Sequence, residues 1–281
     1  VAYCKNDRNG NLTKAVKTNT EFRELLTGIV ATQCDDIEIA LLLSGGVDSL
    51  SCGFAAELAG KKINAYTFRL GGRHSADSLA AENAAKAFGW PLTIVDVPRE
   101  NIEADFLTLA NRYDCKKKTQ FECTFPFLYL IPRISERFVL SGIAADGHFG
   151  LSKKAMIHFV QTKESFDRFR LDYFSQASPA GQIQQKQLCE ENEIKQIAPY
   201  LEKSVFDYFL RFDWKEINKP QQKYLTLTAF PEYFKRVSCR KHANLQLVAG
   251  IPELFEVLLS SQLNKNSRSR VLDLCRDYAR K

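Results

Sequence analysis

Two rhythms of apolar and polar positions alternate along the first half of the chain. Residues 37–43, IEIALLL, form a continuous apolar run of strand length, and the following LSCGFAAELAG repeats apolar residues at helical spacing up to Gly60. INAYTFRL (63–70) reads as a second strand, SADSLAAENAAKAFG (75–89) as an alanine-rich helix stopped by Gly89, and PLTIVDV as a third strand. Helical stretches over 101–113 and 119–136 precede a fourth strand, RFVLSG. This order predicts an α/β fold with a parallel, doubly wound sheet and right-handed crossovers.

From residue 160 onward the strand rhythm stops. KESFDRFRLDYFSQ, LEKSVFDYFLRF, QQKYLTLTAF, PELFEVLLSSQL and RVLDLCRDYAR predict a helical C-terminal lobe. The organisation expected is an N-terminal extension over 1–36, an α/β region over 37–160, and a helical lobe over 161–281 packed on it.

Composition narrows the class. The chain has 281 residues, 45% hydrophobic and 26% charged, the profile of a soluble globular enzyme with a substantial core. Its 39 Lys and Arg against 33 Asp and Glu give +6, which suits an anionic ligand without indicating nucleic acid. The most apolar stretch, FPFLYLI (125–131), is far shorter than the ~20 residues that span a bilayer, and the N-terminus is polar, so neither membrane span nor signal peptide is expected. The eight cysteines show no CxxC spacing and are expected to be reduced thiols of a cytoplasmic protein.

The stretch LLLSGGVDSLS (41–51) carries the chemistry. In an open parallel sheet, ligands lie beyond the carboxyl ends of the strands, where the next helix presents unpaired N–H groups and its positive dipole end. Gly45 and Gly46 let the backbone approach a phosphate, and Ser44 and Ser49 add hydroxyl donors. Asp48 repels a phosphate but can hold a Mg2+ that bridges to one. No Lys follows the glycines as a Walker A loop requires, and no GxGxxG is present, which excludes a P-loop kinase and a dinucleotide-binding dehydrogenase.

SGGVDS after an apolar strand resembles the SGGxDS signature of the PP-loop ATP pyrophosphatases, whose fold is the adenine nucleotide α-hydrolase-like sheet. Within that superfamily four further stretches resemble the asparagine synthetase group. SGIAADGHFG (141–150) is similar to its SGxGADExFGG loop, and residues 67–89, with Asp77 at an acidic position, to its second strand and following helix. IAPYLEKSVFDYFL (197–210) is similar to its PFLDxxxVEFAL segment, and KYLTLTAFPEYFKRVSCRK (223–241) to its KxxLRxA helix with a following Pro and basic pair.

The resemblance implies an AMP-forming ligase: a substrate carboxylate attacks the α-phosphorus of ATP, pyrophosphate leaves, and an amine displaces AMP to give an amide. It implies that Asp48 and Asp146 hold Mg2+, that Ser44, Gly45, Gly46 and Ser49 cradle the pyrophosphate with Gly142 beside them, and that Lys223 stands near the reacting phosphate. Leu43, Phe68 and Leu70, at the ends of the first two strands, are placed to receive adenine. Arg240 and Lys241 are candidates for phosphate contact.

Each assignment has a plain structural alternative. Asp146 can cap a turn, Asp77 can complement a helix dipole, Lys223 on an amphipathic helix can be solvated, and Lys116 to Lys118 can form a solvated loop. His148 is a candidate metal or proton group, standing one residue past the family's glutamate, a position held here by Gly147. That loss, together with Ile143 in place of a polar residue, makes aspartate a poor expectation for the acceptor. Residues 1–36 are too few for the glutaminase domain of glutamine-dependent members, so the amine is expected from a separate glutaminase subunit or another donor. Two other classes stand beside the ligase: a PP-loop enzyme adenylating a nucleobase of a nucleotide or nucleic acid, with Cys115 beside Lys116 as the candidate reactive thiol, and a non-catalytic subunit.

Overall fold

A computed structural model of the chain describes residues 8–175, 181–237 and 250–260. Five parallel strands, β1 (Glu38–Leu42), β2 (Lys62–Leu70), β3 (Leu92–Val97), β4 (Phe138–Leu140) and β5 (Lys195–Ile197), lie in the order β3-β2-β1-β4-β5. β1 is central, with Leu42 beside Tyr66 of β2 and Leu41 beside Leu140 of β4. The chain runs outward from β1 through β2 to β3 and then returns to place β4 on the other side of β1. The order therefore reverses between β1 and β4, which opens a crevice at their carboxyl ends.

The sheet is buried on both faces, which is why β1 reads as one unbroken apolar run. Ile39, Leu41 and Leu43 face a core that includes Phe54, Phe138 and Phe209, while Ala40 and Leu42 face a second core that includes Val97, Phe106 and Phe125. The first core is covered by helices α1 (Arg8–Gln33), α2 (Val47–Leu58) and α3 (Ala76–Phe88), together with helical segments from the 203–234 region. The second is covered by Ile102–Asn111, Lys118–Thr124, Gln182–Glu191 and Ile251–Ser260. The doubly wound α/β architecture predicted from the pattern is the one observed.

Local signals explain the element ends. Ser75 caps α3 by accepting from the Ser78 amide at 3.0 Å, and Gly89 closes it in the left-handed conformation with φ 73°. The stretch expected as one helix over 119–136 is divided into Lys118–Thr124 and Phe127–Leu130, with Pro126 at the break and a short 3-10 turn over Ile131–Arg133.

The expectation that strands cease after residue 160 is corrected by β5, which pairs Ile197 with Leu140 at the sheet edge. Only three residues long and beginning Lys-Gln, it has no alternation long enough to register as a strand. The segment ahead of β1 carries α1, which buries Phe22, Leu26 and Val30 completely in the first core. No helix among the described residues is long and apolar enough to cross a membrane. RVLDLCRDYAR, Arg240 and Lys241 lie outside the described residues.

Candidate active site

The crevice at the carboxyl ends of β1 and β4 opens into a cleft of about 1450 Å3. The loop after β1 and the loop after β4 form its floor and are pressed together. A Cβ on Gly142 would stand 2.9 Å from both the Asp48 carbonyl carbon and the Ser49 amide nitrogen, so only glycine fits there. Gly45 is required twice over: its φ is +71°, and a Cβ would meet the backbone of Ala80 in α3 at 2.5 Å. Close packing of α3 on one side and the β4 loop on the other thus fixes the path of SGGVDS.

Inside this loop the two serine hydroxyls hold each other. Ser44 Oγ and Ser49 Oγ lie 3.1 Å apart, Ser49 Oγ donates to the Gly46 carbonyl at 3.1 Å, and Ser44 Oγ accepts from the Gly46 amide at 3.3 Å. Helix α2 begins immediately afterwards at Val47, with Gly46 as its N-cap and Asp48 in its first turn. The helix therefore directs its positive end at the cleft floor.

Asp48 and Asp146 converge because they occupy equivalent places after adjacent strands, Asp48 in the first turn of α2 and Asp146 in the first turn of the short helix Ala145–Phe149. Between them stands Lys223, whose side chain is 5% exposed. Its Nζ donates to Asp146 Oδ1 at 2.7 Å and to Asp48 Oδ2. Burial disfavours the charge on Lys223, but the carboxylates of Asp48 and Asp146 outweigh it and hold the ammonium above the ordinary lysine range.

Lys223 is not on a helix, as its sequence context suggested, but caps one, immediately ahead of Tyr224–Ala229. Its backbone is left-handed with φ 58°, and its amide donates to Asn218 Oδ1 at 3.1 Å. Asn218 is in turn anchored to the Phe149 carbonyl at 3.0 Å. Ala144, just before the helix that carries Asp146, is also left-handed with φ 70°. Strained non-glycine backbone thus accompanies both groups that meet at the cleft.

Of the other residues singled out from the sequence, Leu43, Ser44, Gly45, Gly46, Ser49, Phe68, Asp77 and Gly142 line the cleft. Leu70 does not. β1 ends level with Tyr66, so Leu70 lies four residues past the rim and joins the buried cluster that holds Val97. His148 is also away from the cleft. It is fully buried, stacked on Phe174 and Phe209, with Nε2 2.7 Å from the Tyr200 carbonyl, and burial pushes its pKa down to about 3. It is a core residue, and the polar side chain belongs to packing.

Cys115 is 1% exposed and is likewise no surface thiol; the cysteine that lines the cleft is Cys123, whose thiol burial pushes up to about 12. Tyr173 was not anticipated. Its ring fills the space beside Gly147, where a Cβ would come within 2.2 Å of it. No spacing rule would have pointed to Tyr173, which comes from the helix Lys163–Ser175, outside every motif.

Among solved structures, the chain is matched to a predicted subunit of tRNA methyltransferase from Methanocaldococcus jannaschii, at 16% identity and TM-score 0.33 over 62% of this chain and 75% of that one, and to the U34-tRNA thiolase NcsA from Methanococcus maripaludis with its [4Fe-4S] cluster, at 14% identity and TM-score 0.37 over 99% of this chain and 80% of that one. No curated protein matches the sequence. The family model for asparagine synthase matches residues 21–193, from α1 through the SGGVDS loop and the Asp146 loop to the end of Gln182–Glu191. The chain belongs to the asparagine synthase family.

Proposed function

We propose that the protein is an ATP-dependent, AMP-forming ligase that adenylates a carboxylate and passes the acyl group to ammonia or another amine. The observation that carries this reading is the convergence of Asp48, Asp146 and Lys223 on the rim of the SGGVDS loop. Two carboxylates and one ammonium sum to −1, which alone would repel a triphosphate. Their oxygens, with phosphate oxygens and water, make the all-oxygen donor set that Mg2+ takes. Asp48 and Asp146 would hold the ion, which neutralises charge gathering on the departing pyrophosphate.

Phosphoryl transfer asks for positioning and charge stabilisation more than for covalent help. The α2 N-terminus and the amides around Gly45 and Gly46 receive the pyrophosphate. Lys223 is close enough to both carboxylates to shift its ammonium toward a phosphate oxygen when ATP arrives. The nucleoside lies toward β2, against Leu43 and Phe68. In the first step a carboxylate oxygen of the acceptor bonds to the α-phosphorus as its bond to the bridging oxygen breaks, and pyrophosphate leaves. In the second an amine nitrogen attacks the acyl carbon, AMP departs, and the nitrogen loses its proton to solvent.

ATP–pyrophosphate exchange against a panel of carboxylates and nucleobases tests this. Label returning to ATP only with a carboxylate, and AMP as the nucleotide product, is the expected result. Exchange driven by a nucleobase would move the chemistry to base modification, and ADP formation would overturn the reading altogether.

A further inference from the structure

Across the cleft the sheet order sets out separate places. β2 ends beside the proposed adenine position, β1 beside the pyrophosphate loop, and β4 beside a third region that those two ligands leave over. That region is walled by Cys123, Ile143, Met156, Tyr173 and Gln185. It contrasts with the rest of the cleft. The charged residues among the described lining are Asp48, Asp77, Asp146, Lys219, Lys223 and Lys235, all from α2, α3, the start of the Asp146 helix and the 219–235 segment. The last of these lies against α3, where Arg236 donates to the Ala87 carbonyl at 2.5 Å.

Tyr173 organises this region. Its ring excludes any side chain at position 147 and packs against Phe169 and Phe174, with centroids 6.0 and 5.0 Å away. Gly181, whose conformation is left-handed, brings the chain against Cys123, where a Cβ would stand 3.1 Å from Cys123 Cβ. Gln185 is 3% exposed and uncharged, and its amide oxygen is already engaged by Ser141 Oγ at 3.3 Å and Gln196 Nε2 at 2.5 Å. Burial pushes the Tyr173 phenol pKa up, Asp146 lies near enough for its charge to add to that, and no cation stands among these wall residues, so an acceptor with a second carboxylate would bring it against an anion with nothing of opposite sign to meet it.

On the adenylating reading above, we infer that the acceptor is a monocarboxylic acid with an apolar body and no second carboxylate, and that Tyr173 is the residue that sets this specificity. The reacting carboxylate points at the α-phosphorus beside Lys223, and the body lies on the Tyr173 ring between Cys123 and Met156. A dicarboxylate is rejected because the wall lacks a cation for its second carboxylate.

The test is exchange measured with phenylacetate and hexanoate against aspartate and succinate, with Mg-ATP affinity measured separately by calorimetry. The wild-type protein should prefer the first pair by at least ~10-fold in kcat/KM. Tyr173→Ala should raise KM for phenylacetate about 10-fold with Mg-ATP affinity unchanged, while Tyr173→Phe keeps the wild-type value. Met156→Lys, at an exposed position that tolerates substitution, should raise kcat/KM for succinate and keep the fold whatever Tyr173→Ala does. Preference for aspartate or succinate, or indifference of both acceptor profiles to Tyr173→Ala and Met156→Lys, overturns the inference and leaves the ligase reading standing. Exchange with none of the acids, while Mg-ATP still binds, overturns that reading and the inference with it.

Discussion

Asp146 accepts a 2.7 Å hydrogen bond from the buried ammonium of Lys223, and the same ammonium reaches Asp48, which stands after the neighbouring strand. The two carboxylates are thus coupled through one cation, and that cation is fixed by a left-handed backbone and by Asn218. Replacing Asp48 or Asp146 with Asn keeps the shape and removes charge. Each change should lower pyrophosphate exchange by about 100- to 1000-fold, the range seen when a preorganised charge-stabilising group is lost. Circular dichroism should stay unchanged. Retained exchange in Asp48→Asn would remove it as a proposed metal ligand.

Lys223→Met tests the pair from the other side. The two carboxylates then face each other without a cation, in a site where Asp48 is four-fifths covered and Asp146 just over half. Because both retain some water, the loss of stability should be about 1 to 3 kcal/mol rather than the larger value of a fully buried broken pair. Sign matters for pH. The folded pKa of Lys223 is raised, so its contribution is complete below the ordinary lysine pKa and fades only as pH climbs through the raised value. Wild type and Lys223→Met should therefore differ in melting temperature at neutral pH and converge in strong alkali.

Gly142→Ala probes the contact between the two loops. The added methyl meets the Asp48 backbone at 2.9 Å, and backbone cannot swing aside as a side-chain tip can. Overpacking of this kind costs about 1 to 3 kcal/mol. The displaced segment carries Asp48 itself, so Mg-ATP affinity should fall along with melting temperature. A variant of unchanged stability and affinity would show that the loops are not held against each other in solution.

How far the sequence foretold this depends on the range of the interaction. β1, its SGGVDS loop and α3 were legible because their signals are local: an apolar run, paired glycines, and a serine and a glycine at the helix ends. The meeting of Asp48 with Asp146 and Lys223 came from family resemblance, since nothing in the spacing places residues after β1, after β4 and before Tyr224–Ala229 at one point. β5 was hidden by its brevity and mixed polarity. Lys223 looked helical because apolar residues follow it at helical spacing, yet its left-handed φ makes it a cap. Tyr173 carried no signal. Its place depends on the absence of a side chain at Gly147 on a different element, and absence of a side chain has no periodicity to read.

His148 gives an acid limit to stability. Its Nε2–H donates to the Tyr200 carbonyl, and Nδ1 has no hydrogen-bond partner among the described residues, so protonation would place an unmatched charge between two aromatic rings. Burial lowers its pKa from 6.5 to about 3. Between those values the unfolded chain binds the proton and the folded chain does not. The contribution is therefore fully present above pH 6.5 and is lost as pH falls, by up to about 1.4 kcal/mol per unit. Melting temperature should drop steadily from pH 7 to pH 4.5, and His148→Gln, which has nothing to titrate, should show a shallower slope. Equal slopes would place the acid sensitivity elsewhere.

Thiol chemistry separates the ligase from a sulfur-transferring relative. Cys123 lines the cleft, but burial keeps its thiol protonated up to about pH 12, and Cys115 is enclosed by the core. A thiolate is the species that attacks, so at pH 8 neither thiol should react appreciably with iodoacetamide in the native protein. Peptide mass spectrometry after a short exposure should find Cys115 and Cys123 unmodified, and both labelled once the chain is unfolded in guanidinium. Cys123→Ser should also leave exchange within about threefold of wild type, because on the ligase reading the side chain only walls the acceptor region. Rapid native labelling of Cys123, accompanied by loss of exchange, would instead mark it as a nucleophile and favour sulfur transfer at this cleft.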